Sequence, residues 1–265
     1  MTPSRNVGGL LKDWRHRRRR SQLDLAVEAD VSPRHLSFVE TGRSKPSREL
    51  LLHLAEHLDV PLRDRNTLLL AAGYAPVYRE TSMGASEMAP VRDALEKILA
   101  SHEPFPAIIV DRRWNLVSAN RPALAILTDG VAAELLAPPP NTLRVSLHPL
   151  GLAPRIVNLE EWSAHLLTRL HRQQVASADP ELALLHEELR GYPGVVEHHG
   201  PEPDLAAMLF VPLVLRMPAG PDLHFFSTLA TFGTAVDITV AELAIESFFP
   251  ADEPTAQFLQ GSFKA

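Results

Sequence analysis

The sequence predicts two domains of different class. An all-α five-helix bundle comes first, and an α+β domain follows, with an antiparallel sheet and helices over one face. Three observations predict this. The charge is uneven: residues 1–80 hold 14 Lys and Arg against 10 Asp and Glu, and the remainder holds 12 against 22. The first eighty residues repeat apolar side chains at helical spacing between capping signals. Beyond about Glu87 the pattern turns to short strands on either side of a helical stretch. A length of 265 residues with 23 prolines suits two modest domains cut by turns. The boundaries read as 1–76 for the bundle, 77–88 for a linker and 89–265 for the second domain.

Each helix of the bundle has its own punctuation. Gly8–Arg18 carries Leu10, Leu11 and Trp14 on one face. Ser21 with Asp24 forms a capping box for a helix over Gln22–Ala29, which buries Leu23, Leu25 and Ala26. Ser32 caps the next helix, Pro33–Thr41, with Pro33 at the first position, where its missing N–H costs nothing. Gly42 stops it. Ser47 caps a helix whose Leu51, Leu54, Ala55 and Leu58 recur at helical spacing, and Arg63–Ala72 ends at Gly73. Two short helices joined by a three-residue turn inside such a bundle have helix-turn-helix geometry.

The stretch "SQLDLAVEADVSPRHLSFVETGRSKPS", with the continuation "LLHLAEHLDVP", resembles the helix-turn-helix of phage-repressor-like (XRE-type) regulators over about residues 6–76. The resemblance implies double-stranded DNA as partner. The second helix of the motif would enter the major groove with Pro33, Arg34, His35, Ser37 and Phe38 near its outer face. Arg34 can donate two hydrogen bonds to guanine, and Phe38 can cover a thymine methyl. Ser32 and Gln22, at helix N-termini, would grip phosphates, and Arg43 and Lys45 would contact the backbone. Asp30 stands where the family has a left-handed glycine, a conformation Asp tolerates. In the run "RHRRRR" (15–20), the resemblance turns Arg15 inward toward Glu40, as a partly buried ion pair.

The second domain reads as a helix over Pro90–Ala100, strands Ala107–Val110 and Asn115–Ala119, and a helix from near Pro122. Two further helices follow, one behind Asn158 and Glu161, one behind Asp179-Pro180. Three strands close the chain, in "LFVPLVLRM", "DLHFFSTLATF" and "LAIESFFP", the last with Leu243, Ile245, Ser247 and Phe249 on one side. This order is that of a PAS-like domain. "IIVDRRWNLVSAN", "HPLGLAPRIVNLEEW" and "FFSTLATFGTAVDITVAELAIESFFPAD" resemble the MmyB-like bacterial regulators, in which an XRE helix-turn-helix precedes a PAS-like ligand-binding domain.

That resemblance implies an apolar small molecule, a fatty acid or similar acyl chain, between sheet and helices. Ile108, Val110, Leu166, Leu170, Leu213, Phe226, Leu229 and Phe232 are candidate lining, with Asn120 and Trp162 nearby. Such lining selects by area, at about 0.8 kcal/mol per buried methylene. Arg144, His148 and Arg155 are candidates for gripping a carboxylate. The same apolar face could instead dimerise the protein without a ligand.

No enzymatic signature stands out. There is no G-x-S-x-G, P-loop or G-x-G-x-x-G. "HEEL" at 186–189 lacks the second His of a zinc helix, since position 190 is Arg190, and His198-His199 reads as a solvated loop. With no cysteine, Cys-based zinc sites and disulfides are ruled out, and no cofactor or metal is expected. No apolar run reaches the roughly 18 residues that span a bilayer. The expectation is a cytoplasmic, homodimeric, non-enzymatic regulator; a hydrolase is the weaker alternative.

Overall fold

The computed structural model describes residues 6–177, 179–197, 211–218 and 220–263. They divide into two compact units. The first gathers Met1–Thr81 with Val175–Ser177 and Thr234–Ala241, and the second gathers Ser82–Gln174, Ala178–Gly233 and Glu242–Ala265.

The first unit holds α1 (Val7–Arg17), α2 (Gln22–Glu28), α3 (Pro33–Glu40), α4 (Arg48–His57) and α5 (Leu62–Ala71). Asn6, Ser21, Ser32 and Ser47 each cap a helix, accepting from a backbone N–H of its first turn. Ser21 and Asp24 complete the capping box. All five helices end alike, with a left-handed residue just past the C-cap. Gly42 and Gly73 fill two of these positions, but Arg19, Asp30 and Asp59 fill the others at φ of 53°, 51° and 46°. The left-handed form costs a non-glycine residue about 1–2 kcal/mol. The peptide N–H groups that close each turn offset that cost by satisfying carbonyls of the last helical turn. At the end of α1, Arg19 N donates to His16 O and Arg20 N to Arg15 O. This is the backbone role of Arg19.

Leu11, Trp14, Leu25, Leu36, Leu51, Leu54 and Leu69 meet in one buried core. Gly8 fixes how α1 lies on α3. A Cβ there would sit 2.2 Å from the carbonyl oxygen of Val39 and 2.7 Å from that of Glu40, so the two backbones touch at this point. Two turns further along the same face of α1 comes Arg15. Residues 77–80, read from the sequence as linker, are pinned to α5. Asn66 accepts from the N–H groups of Val77 and Tyr78 and donates to Tyr78 O, and Arg63 pairs with Glu80. Within the same unit Asp237 accepts from the N–H and hydroxyl of Thr81, and Ile238 N donates to Arg79 O.

The second unit is built on a five-stranded antiparallel sheet in the order β2-β1-β5-β4-β3. Its strands are β1 (Ala107–Val110), β2 (Leu116–Ala119), β3 (Leu213–Arg216), β4 (Asp222–Thr231) and β5 (Ala244–Pro250). The last strand of the chain therefore lies in the middle. Its alternation sets the two faces. Leu243 and Ile245, with Ala107 and Ile109 of β1, meet Leu95 and Leu99 of α6 (Ala89–Ser101). The other face carries Ile108, Leu215 and Phe225. It shares a larger core with α7 (Arg121–Thr128), α8 (Thr142–Leu147), α9 (Leu159–Ser177) and α10 (Pro180–Arg190). The main helical layer thus covers one face, and α6 covers part of the other.

Among the described residues, three helices have no counterpart in the sequence reading: α8, the four-residue turn of helix Ile238–Ala241, and the C-terminal α11 (Glu253–Phe263). With six residues, α8 is too short for a periodic pattern, and it begins at the cap of Asn141 on Arg144 N. Asn158 also takes a further part. Besides reaching Glu161, it accepts from Val214 N and donates to Pro212 O, which ties the start of α9 to β3. The histidine pair at 198–199 lies outside the described residues.

Candidate functional site

The outer face of α3 is polar and open. Ser32, Pro33, Arg34 and His35 are exposed, Ser37 and Phe38 half-buried, and Leu36, Val39 and Glu40 buried. The serine cap accepts from His35 N at 3.1 Å and Pro33 has no N–H, so the N–H of Arg34 remains at the positive end of the helix dipole. Arg34 and Arg43 bracket the Phe38 ring, their guanidinium carbons 5.4 and 5.8 Å from its centroid. Lys45 lies 5.1 Å from the ring of Tyr74. One ridge therefore presents three cations and an aromatic edge.

Behind the ridge is a buried polar network. Arg15 donates to both carboxylate oxygens of Glu40 at 2.7 and 2.8 Å, and Gln22 donates to Oε2 at 2.7 Å. Burial pushes the Glu40 carboxyl up, but the bonds from Arg15 and Gln22 outweigh it and hold it below the usual carboxylate range. Gln22 thus commits one amide hydrogen to positioning α3.

In the second unit, sheet and helices enclose a cavity of roughly 70 Å³. Ile108, Leu213, Leu215, Phe225 and Phe248 line it from the sheet. Ile126, Leu143, Trp162 and Leu166 line it from the helices. A second apolar hollow adjoins it, sharing Leu127 and Thr142. Among the described residues, the polar lining of the first consists of Thr142, Ser146 and Glu246. Ser146 accepts from the indole N–H of Trp162 at 3.2 Å. Glu246 takes two bonds from Arg169, at 3.0 and 3.2 Å, and one from the Ser227 hydroxyl at 3.1 Å.

Arg169 in turn lies 4.2 Å from the ring of Trp114. Trp114 holds a φ of 66°, strained for so large a residue. Its indole donates to Gln173, and its carbonyl accepts from the N–H and hydroxyl of Thr142. Alongside, His165 stacks on Trp162. Burial, reinforced by Arg169, pulls its pKa down, so the imidazole is neutral at pH 7.

Of the residues expected to contact a ligand, Ile108, Trp162, Leu166 and Leu213 line the cavity. Val110 and Leu170 are buried in the same core but outside the lining. The others lie elsewhere, each for a physical reason. Asn120 caps α7 and is bonded to backbone on every side, accepting from Ala107 N and Ala123 N and donating to Phe105 O. Strand alternation turns Phe226 to the opposite face of the sheet, where it stacks on Phe249, and Phe232 packs with the α6 cluster. Leu229 is 42% exposed.

The expected carboxylate clamp also lies outside the lining. Arg144 forms a two-bond pair with Glu188, Arg155 pairs with Asp129, and the His148 ring accepts from Leu150 N and meets Tyr192 edge-on. What the sequence reading missed is Glu246. The signal was present: in "LAIESFFP" an acidic residue occupies a position opposite in phase to Leu243, Ile245 and Phe249. Among the described residues no three His, Asp or Glu side chains converge as metal ligands would, and no helix is long and apolar enough to cross a membrane.

A capped, cation-flanked helix on a five-helix bundle, joined to a domain with an apolar cavity, defines a helix-turn-helix regulator with a ligand-binding domain. Comparison with known families agrees: residues 6–68 match a helix-turn-helix domain, and residues 91–261 match the MmyB-like transcription regulator ligand binding domain. The second match spans more than half of the chain, and the chain belongs to the MmyB-like transcription regulators. No curated protein matches it significantly.

Proposed function

We propose that this protein is a one-component regulator of the cytoplasm that reads DNA with α3 and takes an acyl or alkyl chain, such as that of a fatty acid, in its C-terminal cavity. The observation that carries this reading is the apolar lining of the cavity, to which the described residues contribute only three polar side chains. Sites lined in that way suit apolar ligands whose few polar atoms are fixed by a few convergent groups. Two copies would act together, because two half-sites one turn apart match a two-fold symmetric protein. Ligand would shift the balance between two arrangements of the pair, by no more than its difference in affinity for them. Chain continuity offers a route: β4 and β5, both in the cavity wall, are joined through Thr234–Ala241, which belongs to the DNA-binding unit.

In this reading Arg34 contacts a base, Phe38 a thymine methyl, and Ser32, Gln22, Arg43 and Lys45 the backbone. Arg34→Ala should relax preference at one base pair by about 1–3 kcal/mol while leaving affinity for unrelated DNA nearly intact. Selection of duplexes from a random pool by wild type and variant measures this. An unchanged consensus would remove Arg34 from the groove.

A further inference from the structure

Among the described residues, Glu246 is the one charged side chain in the cavity lining, and it is 4% exposed. We propose that it makes the cavity selective for an aliphatic chain ending in a neutral hydrogen-bond donor, an alcohol or primary amide, over an ionised carboxylate. The inference rests on the proposed function, since it concerns the polar end of the same cavity.

Its basis is which half of the ion pair faces the ligand. Arg169 holds Glu246 from outside the lining, and Ser227 adds a second donor. A carboxylate offers about four acceptor positions. Oε1 receives two hydrogen bonds and Oε2 one, which leaves Oε2 an acceptor position for a ligand O–H or N–H. A ligand carboxylate would bring a second negative charge to a buried, already anionic surface. No described residue of the lining carries a positive charge to compensate it, because Arg144, His148 and Arg155 lie outside. Ser146 completes the polar set. Its oxygen already accepts from Trp162, and its own hydrogen is free to donate to a ligand oxygen. A hydroxyl or amide between Ser146 and Glu246 could accept from one and donate to the other.

The test is calorimetric titration of the full chain at neutral pH with decanol, methyl decanoate and decanoate. These probes share a chain length and differ in being a donor, a neutral acceptor and an anion. Wild type should bind decanol about tenfold more tightly than the ester, the worth of one hydrogen bond to a charged group, and decanoate more weakly than either. Glu246→Gln keeps the shape and leaves the Arg169 charge uncompensated. It should lower decanol affinity to that of the ester and raise that of decanoate. Decanoate binding wild type as tightly as decanol overturns the inference but leaves the apolar cavity reading standing. So does a decanol preference unchanged in Glu246→Gln. Failure of all three probes to bind overturns both. The wild-type comparison decides the matter even if the variant does not fold.

Discussion

Arg15→Ala is expected to cost the N-terminal unit about 3–5 kcal/mol of stability, the penalty for leaving one half of a buried ion pair alone. Its guanidinium is 7% exposed and its partner Glu40 1%. Alanine would leave the Glu40 carboxylate, at the end of α3, with only Gln22. The loss should appear in chemical denaturation as a lower midpoint, and in DNA binding as weaker affinity for every sequence, because α3 as a whole loses its support. Replacing both partners with apolar residues should recover most of the stability, since a buried pair itself contributes little net free energy. A midpoint unchanged in Arg15→Ala would contradict the assignment. The neighbouring arginines would not share this effect. Arg18 donates to the carbonyls of Leu58 and Asp59 at the end of α4, Arg17 lies over Trp14, and Arg20 pairs with exposed Glu28.

Arg169→Met is expected to cost the second unit about 3 kcal/mol, the low end of the same range, because the Arg169 side chain is 21% exposed and water can partly replace it. Glu246 would keep only the Ser227 hydroxyl, and Trp114 would lose the cation against its ring. The deficit should largely vanish in the double variant with Glu246→Leu. Melting curves of the wild type and the two variants measure this. A deficit that persists in the double variant would place the role of Arg169 in packing alone.

The N-terminal unit was nearly all legible in the sequence because its signals are local. Ser21, Ser32 and Ser47 each mark a helix start, Gly42 and Gly73 mark ends, and Leu51, Leu54 and Leu58 repeat at helical spacing. Even the Arg15–Glu40 pair followed from the register of a known motif. The second unit was legible strand by strand but not as a site. Which residues line a cavity depends on strand order, and a β5 that inserts between β1 and β4 is a long-range pairing that no local pattern announces. Cations offered the same difficulty. Arg144 and Arg155 look available in sequence, yet Glu188 and Asp129, distant along the chain, take them. Phe226 could have been placed correctly, because alternation along β4 sets it out of phase with Phe225.

The central claim, that an apolar ligand in the C-terminal cavity controls DNA binding by the N-terminal unit, is tested most directly by one titration. A duplex selected from a random pool is bound by the full chain, and its affinity is followed by fluorescence anisotropy as decanol is added. The account predicts a change of about fivefold or more at saturating ligand, the size of an ordinary coupling between sites. It also predicts that the change is lost when Leu166→Trp fills the cavity. An affinity that stays constant while calorimetry shows the ligand bound would contradict it.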